Sequence, residues 1–313
     1  MKNKRNPLVI LCYHGLNADT DTAEHLNDFC FLPVSKFSRD LDEVIRCGWS
    51  VVDLNEGITG IRDSSLPKPS VAISFDDGFA DTLQKAEPLL KSRSMTATVF
   101  IPAQLSRNGS APWFTKVIEI IHSAKSHEFV FFGHRIPIAS AGEKSRASIL
   151  IQNALKELHP IAIQNIVCQM AYDNNCHSSK ERTDYLTISE TECRAAYARG
   201  TLKFGAHSDT HAIHSKLHPT ELEREINESC DYIKSILRSQ TCLYAYPNGR
   251  RADLSPICAS LLRNAGVAAA FTTIPGWNRK FNEPYAMRRF CVGLRTNIGS
   301  ILNSTFWEVL SHI

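Results

Sequence analysis

The sequence predicts an α/β fold in which a parallel sheet curls into an incomplete or distorted barrel. Three observations predict it. Short β-rich runs recur along the 313 residues, each followed by a stretch with helical spacing. A hydrophobic content of 43% supports a sizeable core. Acidic and histidine clusters stand where strand-like runs end, the place where barrels of this kind gather reactive residues.

The strand candidates are residues 8–13, 50–54, 70–75, 96–101, 202–206, 241–246 and 267–273. Helices alternate with them. Residues 34–47 put Phe37, Leu41, Val44 and Ile45 on one face and stop at Gly48, as a helix with a glycine terminator does. The same reading fits 81–92, 189–199, 220–237 and 254–264. From about 104 to 187 the rhythm breaks. One helix around 115–124, a hairpin over 128–138 turning at Gly133-His134, and helical spacing from about 143 to 172 read as a mainly helical insertion in a single domain spanning 1–313. Its polar exit, 173–182, reads as a long loop of the kind that is often functional.

Charge excludes some partners. Thirty-five Lys and Arg against thirty-two Asp and Glu give +3, with no basic run that would track a phosphate backbone, so nucleic acid is not expected. The basic start, 1–7, meets only a short apolar run, 8–12, which is too brief for a secretion signal. No apolar run reaches the roughly 18–20 residues of a spanning helix, and residues 298–313 are interrupted by Asn303, Ser304 and Glu308. A cytoplasmic protein without a transmembrane segment is expected. The ten cysteines stand singly, without a C-x-x-C pair, and are expected to be reduced and mostly buried.

Two clusters carry the chemistry. The apolar run 71–75 empties directly into Asp76-Asp77-Gly78, placing two carboxylates at a strand's C-terminal edge. An Asp-capped turn is the plain alternative. Adjacent carboxylates repel, however, and a metal held by one of them relieves the cost of keeping both ionised. The second cluster, His207-Ser-Asp-Thr-His211, follows the run 202–206. Imidazoles four apart converge on one ion if the second lies on a helical turn. His214 and His218 follow, so the pairs 207 with 211, 211 with 214, and 214 with 218 are all sterically conceivable; only the first begins at a strand end.

Ser74-Phe-Asp-Asp-Gly78 resembles the T-F-D-D-G motif of the polysaccharide deacetylases, the NodB-homology family. His207-Ser-Asp-Thr-His211 resembles that family's H-[ST]-x-x-H motif, in the same order, and the resemblance covers 8–101 and 186 to about 292. It implies a distorted (β/α)7 barrel in which the first Asp is the general base and the second, with two His, holds a divalent metal, usually zinc. Carried over, Asp76 is the base and Asp77, His207 and His211 are the ligands.

Leu243-Tyr-Ala-Tyr-Pro-Asn-Gly249 is similar to the family's F-A-Y-P-Y-G strand end, where the backbone N–H after the proline helps bind the oxyanion; here Asn248 supplies it. This run departs from the arginine-containing R-x-P-Y version. Arg289, in Tyr285-Ala-Met-Arg-Arg-Phe290, resembles the L-P-R-[IV] arginine that orients the base in other members. The family's late L-x-H motif precedes a helix, whereas Leu310-Ser-His312 stands one residue from the end of this sequence. Leu11-Cys-Tyr-His14 resembles instead the Y-H motif of circularly permuted members, typified by exported deacetylases acting on poly-N-acetylglucosamine, which makes His14 the general acid.

The resemblance implies an N-deacetylase whose partner is an N-acetylated carbohydrate, as glycan or glycan precursor. An amidase or deformylase acting on a small non-sugar amide would use the same residues. A carbohydrate-binding protein without turnover would not need both a base and metal ligands. Trp113, Phe114, Trp277 and Tyr285 are candidates for stacking on a sugar or for the core.

Overall fold

The computed structural model describes residues 6–19, 30–174, 183–279 and 283–304. Its strands are β1 (Leu8–Tyr13), β2 (Gly15–Asn17), β3 (Phe31–Pro33), β4 (Ser50–Val51), β5 (Ser70–Phe75), β6 (Ala97–Ile101), β7 (Glu128–Phe131), β8 (His134–Pro137), β9 (Leu202–Ala206), β10 (Cys242–Ala245), β11 (Val267–Phe271) and β12 (Phe290–Cys291). The helices are α1 (Val34–Arg46), α2 (Leu54–Arg62), α3 (Glu87–Ser92), α4 (Ala103–Asn108), α5 (Trp113–Ser123), α6 (Ala141–Leu155), α7 (Pro160–Asp173), α8 (Glu190–Arg199), α9 (Pro219–Leu237), α10 (Cys258–Asn264) and α11 (Ile298–Leu302).

Eight strands form one parallel sheet in the order β11-β10-β9-β6-β5-β1-β12, with β4 also pairing β5. The sheet curls into a half-barrel. Residues 287–291 run between its edges: the Met287 N–H donates to the Ala270 carbonyl of β11 and its carbonyl accepts from the Thr272 N–H just beyond, and Phe290 and Cys291 pair with Leu11 and Cys12 of β1. Both faces are covered, which explains why β1 and β5 are apolar throughout. Along β1, Leu8 and Ile10 point into the inner cluster with Ala72, Phe100 and Phe271, while Val9, Leu11 and Tyr13 point to the helices. Every strand of this sheet therefore ends at the same rim.

The structure corrects several boundaries. Residues 82–86 form a π-turn before α3, because Pro88 has no N–H to offer the Gln84 carbonyl and the ladder shifts by one residue. The helical spacing over 143–172 is two helices, α6 and α7, broken at 156–159 because His159 must be extended before Pro160. Likewise α10 begins only at Cys258, since Pro256 disfavours helix at Ser255. Strand β12 and helices α2 and α4 were not expected. Helices α5, α6 and α7 and the β7–β8 hairpin surround an apolar cluster of their own, including Val117, Ile121, Phe129, Ile151 and Leu155. Among the described residues no helix is long and apolar enough to cross a membrane. The described cysteines are free, and Cys12, Cys193, Cys230, Cys242 and Cys258 are buried.

Candidate active site at the strand ends

All but one of the expected polar residues follow strands that end on one rim. Asp76 and Asp77 follow β5, His14 follows β1, His207 follows β9, Asn248 lies three residues beyond β10, and Arg289 precedes β12. All but Arg289 line a single cavity of about 840 Å³, together with His211.

Asp76 is clamped by Arg289. The guanidinium donates to both carboxylate oxygens at 2.7 Å, its Nε donates to the Thr272 carbonyl at 2.9 Å, and the side chain is wholly buried. A bidentate fork of this kind fixes the carboxylate plane. Burial pushes Asp76 up, but Arg289, His207 and His14 outweigh it and hold the carboxyl below its ordinary value. Each carboxylate oxygen has two acceptor positions, so the fork leaves acceptor capacity on Asp76.

Asp77 faces the other way. Its Oδ1 lies 3.0 Å from His211 Nε2 and 3.4 Å from His207 Nε2, and these three donor atoms lie within 4.8 Å of one another. The backbone that turns Asp77 away from Asp76 is left-handed, with φ of 68° at Asp77 and 63° at Gly78. Gly78 is needed there twice over, for its φ and because a Cβ would stand 2.5 Å from Ile101 Cδ1. Ser208, His211 and Asn248 also have positive φ, so with Asp77 four of the eight such non-glycine residues among those described stand at this rim.

The donor set fits a divalent cation. One carboxylate and two imidazole nitrogens make a three-ligand set that leaves a position for water or substrate. His207 Nδ1 is 2.8 Å from the Ala245 carbonyl, the outer contact that fixes the ring and presents Nε2 inward. Burial pushes the His207 imidazole down, yet Asp76 and Asp77 pull it above its ordinary value, while Asp77 is held well below the usual carboxylate range despite its own burial. A cluster that draws a proton between a carboxylate and imidazoles also draws a cation.

Glu225 of α9 had no motif to reveal it. Buried beneath the 207–211 loop, it accepts from Ser208 Oγ at 3.0 Å, from the Asp209 and Thr210 backbone N–H groups at 2.9 Å each, and from Thr210 Oγ1 at 2.7 Å. Four hydrogen bonds to one carboxylate hold the loop in its left-handed turns. Lys156, at the C-terminal cap of α6, also went unnoticed; its Nζ donates to Asn248 Oδ1 at 3.3 Å. In sequence both were ordinary charged residues on helical faces.

His14 stands beside Asp76. One of its ring nitrogens, an Asp76 oxygen and Cys12 Sγ lie within 4.8 Å of one another. Burial pushes its imidazole below the ordinary value, against the pull of Asp77 and Asp76. Asn248 occupies a tight turn closed by Gly249 N–H to the Pro247 carbonyl at 2.7 Å, and its side chain donates to Asp253 at 2.6 Å. Of the aromatic candidates, Trp113 and Phe114 line the cavity, with Phe114 5.5 Å from the His211 ring. Trp277 packs on Trp49, and the Tyr285 hydroxyl donates to the Val267 carbonyl, so neither is at the site. His312 lies outside the described residues.

A carboxylate fixed by an arginine, beside a carboxylate and two histidines suited to a divalent cation, on the rim of a curled parallel sheet, defines a metal-dependent hydrolase. Residues 63–270 match the polysaccharide deacetylase family, and the chain belongs to it. No curated protein matches the sequence significantly. Among solved structures, the chain is similar to the Streptococcus pyogenes deacetylase PplD in complex with acetate, at 15% identity and a TM-score of 0.63, covering 95% of this chain and 97% of that one. It is similar to IcaB from Ammonifex degensii at 18% identity and 0.59, covering 96% and 97%. A de-N-acetylase from Aggregatibacter actinomycetemcomitans follows at 13% and 0.58, covering 95% and 99%. At these identities the likeness establishes the shared fold.

Proposed function

We propose that the chain removes an N-acetyl group from an N-acetylated sugar, with Asp76 as general base, His14 as proton donor, the Asn248 backbone N–H as an oxyanion donor, and Asp77, His207 and His211 as ligands of a divalent metal, zinc by the family's habit. We read 1–313 as one catalytic domain with 104–187 inserted, and the Tyr13-His14 pair as the mark of the permuted arrangement. The observation that carries the reading is the division of two adjacent carboxylates, Asp76 to Arg289 and Asp77 to the histidines.

A bound cation supplies polarisation of the acyl carbonyl and acidification of water. The chain supplies the rest. Asp76, ionised and held by Arg289, accepts a proton from the attacking water. The Asn248 N–H stabilises negative charge as it develops on the acyl oxygen. Burial lowers the His14 pKa, so its imidazole is neutral at rest; the proton that Asp76 takes from water passes to this neighbouring ring nitrogen and from there to the amine nitrogen as the C–N bond breaks, leaving Asp76 and His14 as they began. One water is consumed; an amine and acetate leave.

Acetate release from N-acetylglucosamine oligomers is the direct test. Chelation should abolish it, and returning a divalent cation should restore it. Turnover that ignores chelation would contradict the reading, and faster turnover on N-formyl or simple N-acyl amides would favour the non-sugar amidase.

A further inference from the structure

Resting on the hydrolase reading above, we propose that the outer part of the cavity binds a hydrocarbon chain on the aglycone side of the N-acylated sugar, so that the substrate is a glycolipid. The cavity, about 840 Å³, lies toward the upper end of ligand pockets, roughly 300–1,000 Å³. An acetyl group and one sugar ring fill only part of it.

The composition of its outer wall is graded. Helix α6 turns Ile149, Gln152, Asn153 and Lys156 toward the cavity, at the spacing of one helical face. Helix α7 adds Pro160, Ile163, Gln164 and Val167 in the same way. Both helices pack on α5 and are joined by the turn at 156–159, whose Lys156 reaches Asn248 on the catalytic floor. Moving outward along α6, the wall therefore runs from a cation, through two amides, to an isoleucine. Ile149 lies about 10 Å of helix beyond Lys156. The intervening polar band is one helical turn long, comparable to a sugar ring.

A second observation points the same way. Of the nine large hydrophobic side chains exposed among the described residues, six lie within 128–172: Val130, Phe132, Ile149, Leu150, Ile161 and Tyr172. Exposed apolar surface is thus concentrated on the inserted segment, and of these six Ile149 is the one that lines the cavity. Aliphatic walls recognise methylenes, each strengthening binding roughly three- to fourfold when buried. The stacking faces of the cavity, Trp113 and Phe114, lie on the His211 side, where the sugar itself would sit, and the aliphatic residues of α6 and α7 lie beyond it.

The experiment compares octyl and methyl glycosides of N-acetylglucosamine with the metal-loaded full chain, below the micellar range. The octyl glycoside should show a KM at least about tenfold lower. Calorimetry with octyl and methyl β-glucoside, which have no amide to cleave, should show binding of the octyl compound alone. Ile149→Gln, at a side chain 43% exposed and so tolerated by the fold, should reduce the octyl-over-methyl advantage several-fold. Equal KM values with no calorimetric preference would overturn the proposal, as would a KM that falls with the number of sugar rings and not with the alkyl chain. A gain confined to an N-octanoyl methyl glycoside would move the chain to the acyl side and overturn it too. Octyl glucoside binding without acetate release from any N-acetyl sugar would support the pocket while refuting the hydrolase reading.

Discussion

His207 and His211 converge on Asp77 at the cavity floor, whereas His214 and His218, at the same four-residue spacing a few positions on, face the core and a helix end. The His214 Nε2 lies 2.8 Å from the Tyr244 hydroxyl and its Nδ1 3.3 Å from Cys258 Sγ. His218 precedes α9, where its backbone N–H donates to Glu221. Spacing is identical in the two pairs. What separates them is the strand end before His207 and the Glu225 clamp beneath the loop, which together turn both imidazoles to one point.

Losing a member of each pair should sharpen the contrast most. His207→Ala should strip the chain of bound metal and of acetate release, while His214→Phe should keep close to one ion per chain, measured by elemental analysis after gel filtration. Equal metal loss in both variants would erase the distinction. The clamp comes next. Glu225→Gln keeps the shape but weakens four charge-assisted hydrogen bonds, and metal affinity measured by competition with a chelating dye should fall about 10- to 100-fold, as for other outer-sphere partners. Unchanged affinity would mean that the loop needs no clamp.

The smallest effect concerns stability. Burial lowers His214 from its ordinary value to about 3, so it is neutral in the folded chain. Below about pH 6.5 the unfolded chain takes up a proton that the folded one refuses. Its contribution is therefore complete above pH 6.5 and declines as pH falls toward 3, by up to about 1.4 kcal/mol per unit. His214→Phe should cost about 1–3 kcal/mol at pH 7.5, because the Tyr244 hydroxyl loses its partner. The difference from the parent should narrow at pH 5 in urea titrations. A difference that widens in acid would show that His214 is charged when folded.

Much of this was legible in the chain. The seven strand candidates correspond to β1, β4, β5, β6, β9, β10 and β11, because a parallel sheet buried on both faces writes unbroken apolar runs. His14, Asp76 and His207 were legible for the same reason, each being the first residue after such a run. Phe290–Cys291 was not, since a two-residue strand has no periodicity to read. The π-turn at 82–86 looks helical in spacing, and only the missing N–H of Pro88 distinguishes it. Glu225 was invisible because its partners are mainly backbone and hydroxyl groups of a loop 15 to 17 positions earlier. The cavity wall was invisible too: Ile149, Ile163 and Val167 carry the spacing of any amphipathic helix, and nothing in that spacing says what the apolar face meets.

The division of labour between Asp76 and Asp77 is tested most directly by measuring metal content and acetate release together in Asp76→Asn and Asp77→Asn. Asp76→Asn should hold nearly the parental amount of metal and lose turnover by about two to four orders of magnitude, the contribution of a positioned base. Asp77→Asn should lose the metal itself. If Asp76→Asn lost its ion while Asp77→Asn kept it, the two carboxylates would have exchanged roles and the Arg289 clamp would no longer mark the base.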